Sequence, residues 1–249
     1  MKLFAVSDVH SFYDEFIMAL NNIGFEKDNP KHLLVVCGDY FDRGPKSYEV
    51  LNYLMNLSNV ILIKGNHEDL MEEMIHRGYS NDNDIHNGTY ETFCQLFPHI
   101  ENEVNTGRFK DIDLPDFKIV YELLLKPLYD KMVNYFETKN YVFVHGWVPD
   151  VKRGENWRLG NWYESRWVNG MLKNHSGYNP TGKTVVCGHY SCSYGWSYIA
   201  QKYKNRPQKT HPDFEKSFNP YFEKGIIAID ACTVYSGKVN IICLEDDLI

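Results

Sequence analysis

The sequence predicts an α/β protein built as a four-layer α-β-β-α sandwich, in which two mixed β-sheets pack face to face beneath outer helices. Short runs of Val, Ile and Leu, typical of buried strands, alternate early in the chain with stretches in which apolar residues recur three and four positions apart, as on one side of a helix. After a long interval, further apolar runs follow and supply a second sheet.

The first part of the chain has the order β-α-β-α-β. Strands are expected at residues 2–7, 33–37 and 60–64, and helices at 13–24 and 46–57. The strands follow one another at the interval of a βαβ unit, roughly 30 residues, so they are predicted to be parallel. Parallel strands place their carboxyl ends at the same edge of the sheet, where ligands bind in α/β proteins.

The second sheet is expected from the later apolar runs at residues 140–144, 184–187, 225–231 and 238–244. The last two runs are joined through Tyr235-Ser236-Gly237, a sequence typical of the turn between paired strands. They are therefore predicted to form a closing hairpin.

Residues 69–139 separate the two sets of strands and are predicted to form an inserted helical cap within a single domain covering residues 1–249. Helical patterns occupy residues 68–76 and 117–136, and a polar stretch lies between them at 78–88. An insertion of this length beside a site often shapes access for a substrate, but a helical subdomain that only packs fits the pattern equally well.

The composition limits the function classes. Lys and Arg number 26 against 33 Asp and Glu, giving a net charge of −7, so a broad basic surface for nucleic acid is not expected. The sequence reaches Asp8 too early for a secretory signal and has no apolar run of about 18 residues that would span a bilayer. The six cysteines are scattered, as in a protein with buried thiols rather than disulfides. We therefore expect a cytoplasmic protein with no membrane partner.

Five predicted strands are followed by Asp, Asn or His next to a glycine or serine. The side chains at these strand ends are Asp8, His10, Asp39, Asn66, His145 and His189. Because the first three strands end at one edge of a sheet, their polar side chains are expected to meet in a crevice. Carboxylate, amide and imidazole donors suit manganese, iron or zinc better than calcium or a thiolate-bound ion.

The motifs occur in a fixed order. They are Asp-x-His at residues 8–10, Gly-Asp-x-x-Asp-Arg-Gly at 38–44, Gly-Asn-His-Glu at 65–68, His145-Gly146 and Gly188-His189. The ordered set resembles the calcineurin-like metallophosphoesterases, and its Asp-Arg-Gly sequence resembles their phosphoprotein phosphatase branch. The resemblance implies two divalent ions, manganese or iron first and zinc as the alternative, bridged by one aspartate. The first ion would be held by Asp8, His10 and Asp39, and the second by Asp39, Asn66, His145 and His189.

The family's chemistry at these positions is direct hydrolysis of a phosphoester by a hydroxide held between two ions about 3.5–4 Å apart. His67 adjoins the ligand Asn66 without being a ligand in the family, and it is expected to protonate the leaving group. Asp42 would hold His67 in the required tautomer. Arg43 is expected to bind two phosphate oxygens, and Arg166 resembles a second arginine that binds phosphate.

Two further features receive no catalytic role. Glu68 lies in the first turn of a predicted helix, where an acid is favourable through the helix dipole alone. A group of tryptophans offers a groove for a base or a peptide, although packing between layers is the preferred interpretation. These residues are Trp157, Trp162, Trp167 and Trp196.

Three functions follow from the resemblance, in order of preference. The first is a metal-dependent phosphomonoesterase of the Ser/Thr protein phosphatase type, with a phosphoprotein as its partner. The second is a hydrolase of dinucleoside polyphosphates such as diadenosine tetraphosphate, which bacterial relatives of this branch perform with the same site. The third is a non-catalytic scaffold that keeps the fold, and it is disfavoured because every expected ligand is present.

Overall fold

The computed structural model describes residues 1–100, 117–196 and 215–248, and it confirms the predicted architecture of two mixed sheets with outer helices. The first sheet has the strand order β3-β2-β1-β9, and the second has the order β4-β5-β6-β8-β7. The strands are β1 (Lys2–Val6), β2 (His32–Cys37), β3 (Val60–Ile63), β4 (Phe136–Glu137), β5 (Tyr141–Phe143), β6 (Thr184–Cys187), β7 (Tyr221–Glu223), β8 (Ile226–Ala228) and β9 (Ile241–Glu245).

Two helices connect the first three strands, as the order β-α-β-α-β requires, and β1, β2 and β3 are parallel as predicted. The α-helices that lie wholly within the described residues are α1 (Tyr13–Ile23), α2 (Ser47–Met55), α3 (Asn66–Arg77), α4 (Asp82–Asn87), α5 (Thr89–Leu96), α6 (Phe117–Val120), α7 (Lys126–Tyr129), α8 (Trp162–Arg166), α9 (Gly170–His175) and α10 (Thr233–Ser236). A π-helical turn, Tyr121–Leu125, joins α6 to α7.

Alternate residues of β1 enter different cores, because successive side chains of a strand point to opposite faces. Leu3 and Ala5 lie in the core between the sheets, in one cluster with Val186 of β6. Phe4 and Val6 lie in the outer core, in one cluster with the buried residues of α1 and α2. The first sheet is therefore buried on both faces, which fixes the edge at which its strands end.

The predicted closing hairpin is wrong. Strand β8 pairs with β6 and β7 in the second sheet, whereas β9 pairs antiparallel with β1 in the first sheet. Tyr235 and Ser236 belong to α10, which ends at Gly237 in a left-handed conformation (φ 67°). Both strands are apolar runs that suit any buried position, so neither run indicates which sheet it joins.

The insertion is mainly helical in its described part, but its predicted end at residue 139 is wrong, because β4 (Phe136–Glu137) is a strand of the second sheet. Two of its internal boundaries also differ. Helix α4 lies within the stretch predicted to be only polar, where a capping box starts it. The helical pattern at residues 117–136 ends at Tyr129, and Val133 instead forms a bridge with the end of β3. Residues 101–116 lie outside the described residues, and the division into one domain with a cap stays a prediction.

Two predictions from composition bear on the described residues. All six cysteines are free thiols, and Cys37, Cys187 and Cys192 are buried as expected, whereas Cys243 is exposed. Within residues 1–100, 117–196 and 215–248, no helix has both the length and the apolar character that crossing a membrane requires.

Candidate metal centre

The loops after β1 and β2 are joined by backbone hydrogen bonds at the carboxyl edge of the first sheet. The amide of Asp8 donates to the carbonyl of Gly38 at 3.1 Å, and the amide of His10 donates to the carbonyl of Asp39 at 3.0 Å. Asp8, His10 and Asp39 are each only 2% exposed. The strand ends therefore meet in a buried crevice, as the parallel order predicts.

Several residues of this crevice adopt the left-handed backbone conformation that non-glycine residues rarely occupy. They are Asp8 (φ 53°), His10 (φ 48°), Ser11 (φ 60°), Asp39 (φ 56°), Asp42 (φ 71°), Arg43 (φ 62°) and His189 (φ 65°). Each such residue costs on the order of 1–2 kcal/mol, so the surrounding hydrogen bonds must hold it in place. Such concentrated strain is typical of functional sites.

Asp39 lies between two groups of possible metal ligands. Its Oδ1 is 3.3 Å from His145 Nε2, and its Oδ2 is 3.7 Å from His10 Nε2. Ligand atoms of His10, Asp39 and His67 lie within 4.8 Å of one another, and so do those of Asp39, His145 and His189. A carboxylate shared by two such groups has the geometry of a bridging ligand.

The two remaining predicted ligands lie at the edges of these groups. Asp8 Oδ1 is 4.0 Å from His10 Nε2, and Asp8 Oδ2 accepts a hydrogen bond from the His189 amide at 2.9 Å. Asn66 Oδ1 is 2.7 Å from His145 Nε2. The structure therefore brings all six predicted ligands together.

Backbone carbonyls orient the histidine rings. His10 Nδ1 is 2.8 Å from the carbonyl of Phe41, and His145 Nδ1 is 2.7 Å from the carbonyl of Cys37. A ring whose Nδ1–H donates to a carbonyl presents Nε2 to a metal, and such bonds also raise the basicity of the ligand. The donor set therefore fits ions that accept imidazole nitrogen together with carboxylate oxygen.

The charged side chains of the crevice shift one another's pKa values. Burial alone would raise the pKa of Asp39, but the imidazoles of His145 and His67 outweigh burial and hold it well below its usual value. Burial alone would lower the pKa of His145, but the carboxylate of Asp39 outweighs burial and raises it. Burial raises the pKa of Asp8 to about 6. A metal ion bound here would have to displace protons, so its affinity would fall in acid.

His67 and Asp42 form a buried pair beside the predicted ligands. His67 Nδ1 is 2.6 Å from Asp42 Oδ2, and the two residues are 3% and 1% exposed. Burial alone would lower the pKa of His67, but the carboxylates of Asp39 and Asp42 outweigh burial and raise it. The ring is therefore held in one orientation, and the two carboxylates favour its protonated form more than in a free imidazole.

The guanidinium of Arg43 contacts two histidines of the site, His10 and His67. Its Nη1 is 3.0 Å from His10 Nε2, and its Nη2 is 3.0 Å from His67 Nε2. The guanidinium thus reaches the crevice with both terminal nitrogens, as a phosphate clamp requires.

Arg166 lies in a buried ion pair. Its Nη1 is 3.3 Å from Asp69 Oδ2, and its Nη2 donates to Asn134 Oδ1 at 2.9 Å. Asp69 is three residues after Asn66 on the same side of α3. The guanidinium is therefore anchored about one helical turn from a predicted ligand.

Glu68 has a role that the sequence analysis did not assign. Its Oε2 accepts hydrogen bonds from the amides of Asp39 and Gly65 at 2.9 and 2.8 Å, and its Oε1 accepts one from Tyr40 at 3.0 Å. Burial raises its pKa to about 7. Glu68 braces the loop that carries Asp39, and its position three residues after the helix cap is the signal that would have indicated this role.

Gly65 allows that close approach, so Gly65→Ala should impair the site. A Cβ there would meet Asp39 Oδ1, the Asp39 amide at 2.5 Å and Glu68 Oε2 at 2.7 Å. We expect the free energy of unfolding to fall by about 1–3 kcal/mol, as in overpacked cores, and manganese affinity to fall with it. Chemical denaturation and calorimetric titration with Mn²⁺ measure the two effects.

The glycine at the other end of α3 supplies the control. Gly78 has φ 78°, and a Cβ there would have no neighbour within 4 Å. Gly78→Ala should cost about 1 kcal/mol of stability through backbone strain and leave manganese affinity unchanged. Wild-type manganese affinity in Gly65→Ala would contradict the bracing role.

The tryptophans divide between the core and the surface. Trp157 and Trp162 are buried, as the packing interpretation expects, whereas Trp167 is 40% and Trp196 36% exposed. The Trp167 backbone is a hydrogen-bond partner of the His189 ring, and the two rings lie 6.0 Å apart. Trp167 is therefore the exposed aromatic residue nearest the predicted ligands among these four.

Sequence comparison gives a family match and partial matches to characterised proteins. The calcineurin-like phosphoesterase family matches residues 1–238. A symmetrical bis(5'-nucleosyl)-tetraphosphatase of Buchnera aphidicola is 38% identical over 69 residues, which are 27% of this chain and 24% of that protein. The enzyme of the same name from Hamiltonella defensa is 36% identical over 84 residues, 33% of this chain and 30% of that protein. The matches thus span less than a third of these relatives.

Solved structures add support for the fold alone. A cold-active protein tyrosine phosphatase superimposes with a TM-score of 0.60 at 15% identity, over 98% of this chain and 73% of that chain. The corresponding structure from a Shewanella species gives 0.56 at 16% identity, over 98% and 75% of the two chains. The assignment to a family rests on the match over residues 1–238, with which the ordered motifs agree. The chain belongs to the calcineurin-like phosphoesterase family.

Proposed function

We propose that the protein is a dinuclear metal-dependent phosphomonoesterase of the Ser/Thr protein phosphatase type. The observation that carries the proposal is the buried Asp42–His67 pair beside the shared carboxylate of Asp39. A serine or threonine alkoxide is a poor leaving group, and a positioned imidazolium is the group that would protonate it. A phosphoanhydride, which has a better leaving group, has less need of such a donor.

The residues fit two divalent ions, with Asp39 as the bridging ligand. We propose manganese or iron, with zinc as the alternative, because carboxylate, amide and imidazole donors occur together. When bound, the ions would activate a water molecule and neutralise charge on the phosphate. The sequence further predicts a cytoplasmic location, which fractionation of producing cells would test.

The side chains beside the ions have separate roles in this proposal. His67 gives its Nε2 proton to the leaving oxygen, while Asp42 holds Nδ1 and stabilises the imidazolium. Arg43 binds phosphate oxygens with the two nitrogens that otherwise contact His10 and His67. When Arg43 binds phosphate, His10 would therefore be released to bind a metal and His67 to donate its proton.

Arg166 is proposed as a second, more distant contact to the substrate phosphate. Its ion pair with Asp69 and its bond to Asn134 fix the guanidinium beside α3. Its Nε has no hydrogen-bond partner within the described residues and is buried. Because Nε is not accessible, a substrate oxygen would be bound by the second N–H group of Nη1 or Nη2.

The second candidate is a dinucleoside polyphosphate hydrolase. It is favoured by the name of the relatives above and by the exposed ring of Trp167 beside His189, on which a base could stack. The shared site chemistry serves either substrate, so substrate preference must be measured.

A direct competition separates the two candidates. Manganese-loaded protein is assayed with a phosphoseryl peptide and with diadenosine tetraphosphate, under the same conditions. We expect kcat/KM for the peptide to exceed that for the dinucleotide. Rapid cleavage of the dinucleotide with no turnover of the peptide would replace the first candidate by the second.

A further inference from the structure

We propose that helix α5 of the insertion positions the proton donor, because Thr89 and Thr92 fix the carboxylate of Asp42, which in turn orients His67. The inference rests on the proposed role of His67. It assigns the insertion a role in positioning a catalytic group. From the sequence, the insertion could either shape substrate access or only pack against the domain.

The contacts that support the inference are all direct. Thr89 Oγ1 donates to Asp42 Oδ2 at 2.8 Å, and Thr92 Oγ1 donates to Asp42 Oδ1 at 2.8 Å. The amide of Asp42 donates to Thr92 Oγ1 at 3.0 Å. Asp42 Oδ2 also faces His67 Nδ1 at 2.6 Å. Each carboxylate oxygen thus has a hydroxyl partner on α5, and one of them also holds the imidazole.

Because the threonines and Asp42 are buried, their hydrogen bonds determine how the Asp42 carboxylate is oriented. Thr89 is fully buried, and Thr92 and Asp42 are each 1% exposed, so water has little access to replace a lost hydroxyl. The two threonines are three residues apart and share one side of the helix. Without them the carboxylate would be free to rotate away from His67.

Further contacts seat α5 on the loop that carries Asp42. A Cβ at Gly88 would meet the Arg43 amide at 2.5 Å, so the start of the helix lies against that loop. Later in the helix, Gln95 Oε1 accepts from the Ser47 amide at 2.9 Å, and Gln95 Nε2 donates to the Gly44 carbonyl at 3.0 Å. The helix is therefore attached on both sides of the threonines, and it can transmit a fixed position to them.

The leaving group provides a readout that a purely structural role would not move. An alkoxide needs the proton from His67, whereas 4-nitrophenolate leaves readily without it. A misoriented donor therefore slows hydrolysis of an alkyl phosphate and spares 4-nitrophenyl phosphate. Loss of fold or of metal slows both.

The test uses the manganese-loaded full chain with Thr92→Val, Thr89→Val and the double variant. We expect the double variant to lose about tenfold in kcat on a phosphoseryl peptide, a part of the 10²–10⁴ typical of a general acid. Its KM for the peptide and its kcat on 4-nitrophenyl phosphate should change by less than about twofold. Thr92→Ser keeps the hydroxyl and should restore turnover. Glu91→Gln, at an exposed position of the same helix, is the matched control and should behave as wild type.

Asp42→Asn, assayed in parallel, separates failure of the inference from failure of the proposed function. A leaving-group-dependent loss in Asp42→Asn with none in the threonine variants would overturn the role of α5 and leave the proton donor in place. Equal losses on both substrates in the threonine variants, without recovery in Thr92→Ser, would reduce α5 to a structural support. Full activity of Asp42→Asn on the peptide would remove the proton donor and the inference together.

Discussion

Replacing Asp39 with asparagine is expected to lower kcat by about 1000-fold or more on every phosphoester tested. Asp39 faces His145 with one oxygen and His10 with the other, so it is the residue that both proposed ion sites share. Losing the negative charge weakens both sites at once. Removing several kcal/mol of electrostatic stabilisation corresponds to this factor, since each 1.36 kcal/mol is tenfold in rate.

The measurement combines turnover with metal content after dialysis. Asp14→Asn is the matched control, because Asp14 is an exposed acid on α1 that pairs with Lys46 at the surface. That variant should retain wild-type activity. Wild-type turnover in Asp39→Asn would show that the shared carboxylate is not needed and would favour a different mechanism.

Replacing His67 with asparagine should slow hydrolysis of a phosphoseryl peptide by about 10²–10⁴, the range for loss of a general acid. Hydrolysis of 4-nitrophenyl phosphate should change by less than about tenfold, because its leaving group needs no proton. Metal content should stay at the wild-type level. Steady-state kinetics on the two substrates, with metal analysis of the same samples, measure all three quantities.

The pH dependence of kcat should also show that His67 donates a proton. The pKa of His67 is raised above its ordinary value near 6.5, because the carboxylates of Asp39 and Asp42 outweigh burial. The proton donor is therefore present below this raised pKa and is lost as pH rises through it. Wild-type kcat on the peptide should fall on the alkaline side, and His67→Asn should lack this decline.

One outcome would assign His67 differently. Its ring lies within 4.8 Å of ligand atoms of His10 and Asp39, a spacing that also suits a metal ligand. Loss of one metal per chain in His67→Asn, with equal losses on both substrates, would make His67 a ligand and exclude it as the proton donor.

The sequence predicted the part of the fold that its local patterns specify. The strands β1, β2 and β3 were predictable because apolar runs alternate with helical periodicity, and their parallel order then brings Asp8, Asp39 and Asn66 to one edge. The partners of β8 and β9 were not predictable, since a buried strand reads the same in either sheet. Which distant strands pair depends on packing between segments far apart in the chain, and no local sequence pattern indicates it.

The candidate site was likewise predictable from the sequence only in part. The predicted metal ligands and His67, the proposed proton donor, follow recognisable motifs, whereas the residues that hold them in place do not. Glu68 had a capping-box spacing that could have indicated its role, but its three amide partners include two on a distant loop. Thr89 and Thr92 lie in an insertion without any motif, and only the folded chain brings them to Asp42.

Titration of metal-free protein with Mn²⁺ tests most directly whether two divalent ions share Asp39. Turnover of a phosphoseryl peptide and bound manganese are measured at each step, on the wild type and on Asp39→Asn. We expect two ions per wild-type chain, with full activity only when the second is bound, and neither saturation nor full activity in the variant. Full activity with a single bound ion, or with none, would contradict it.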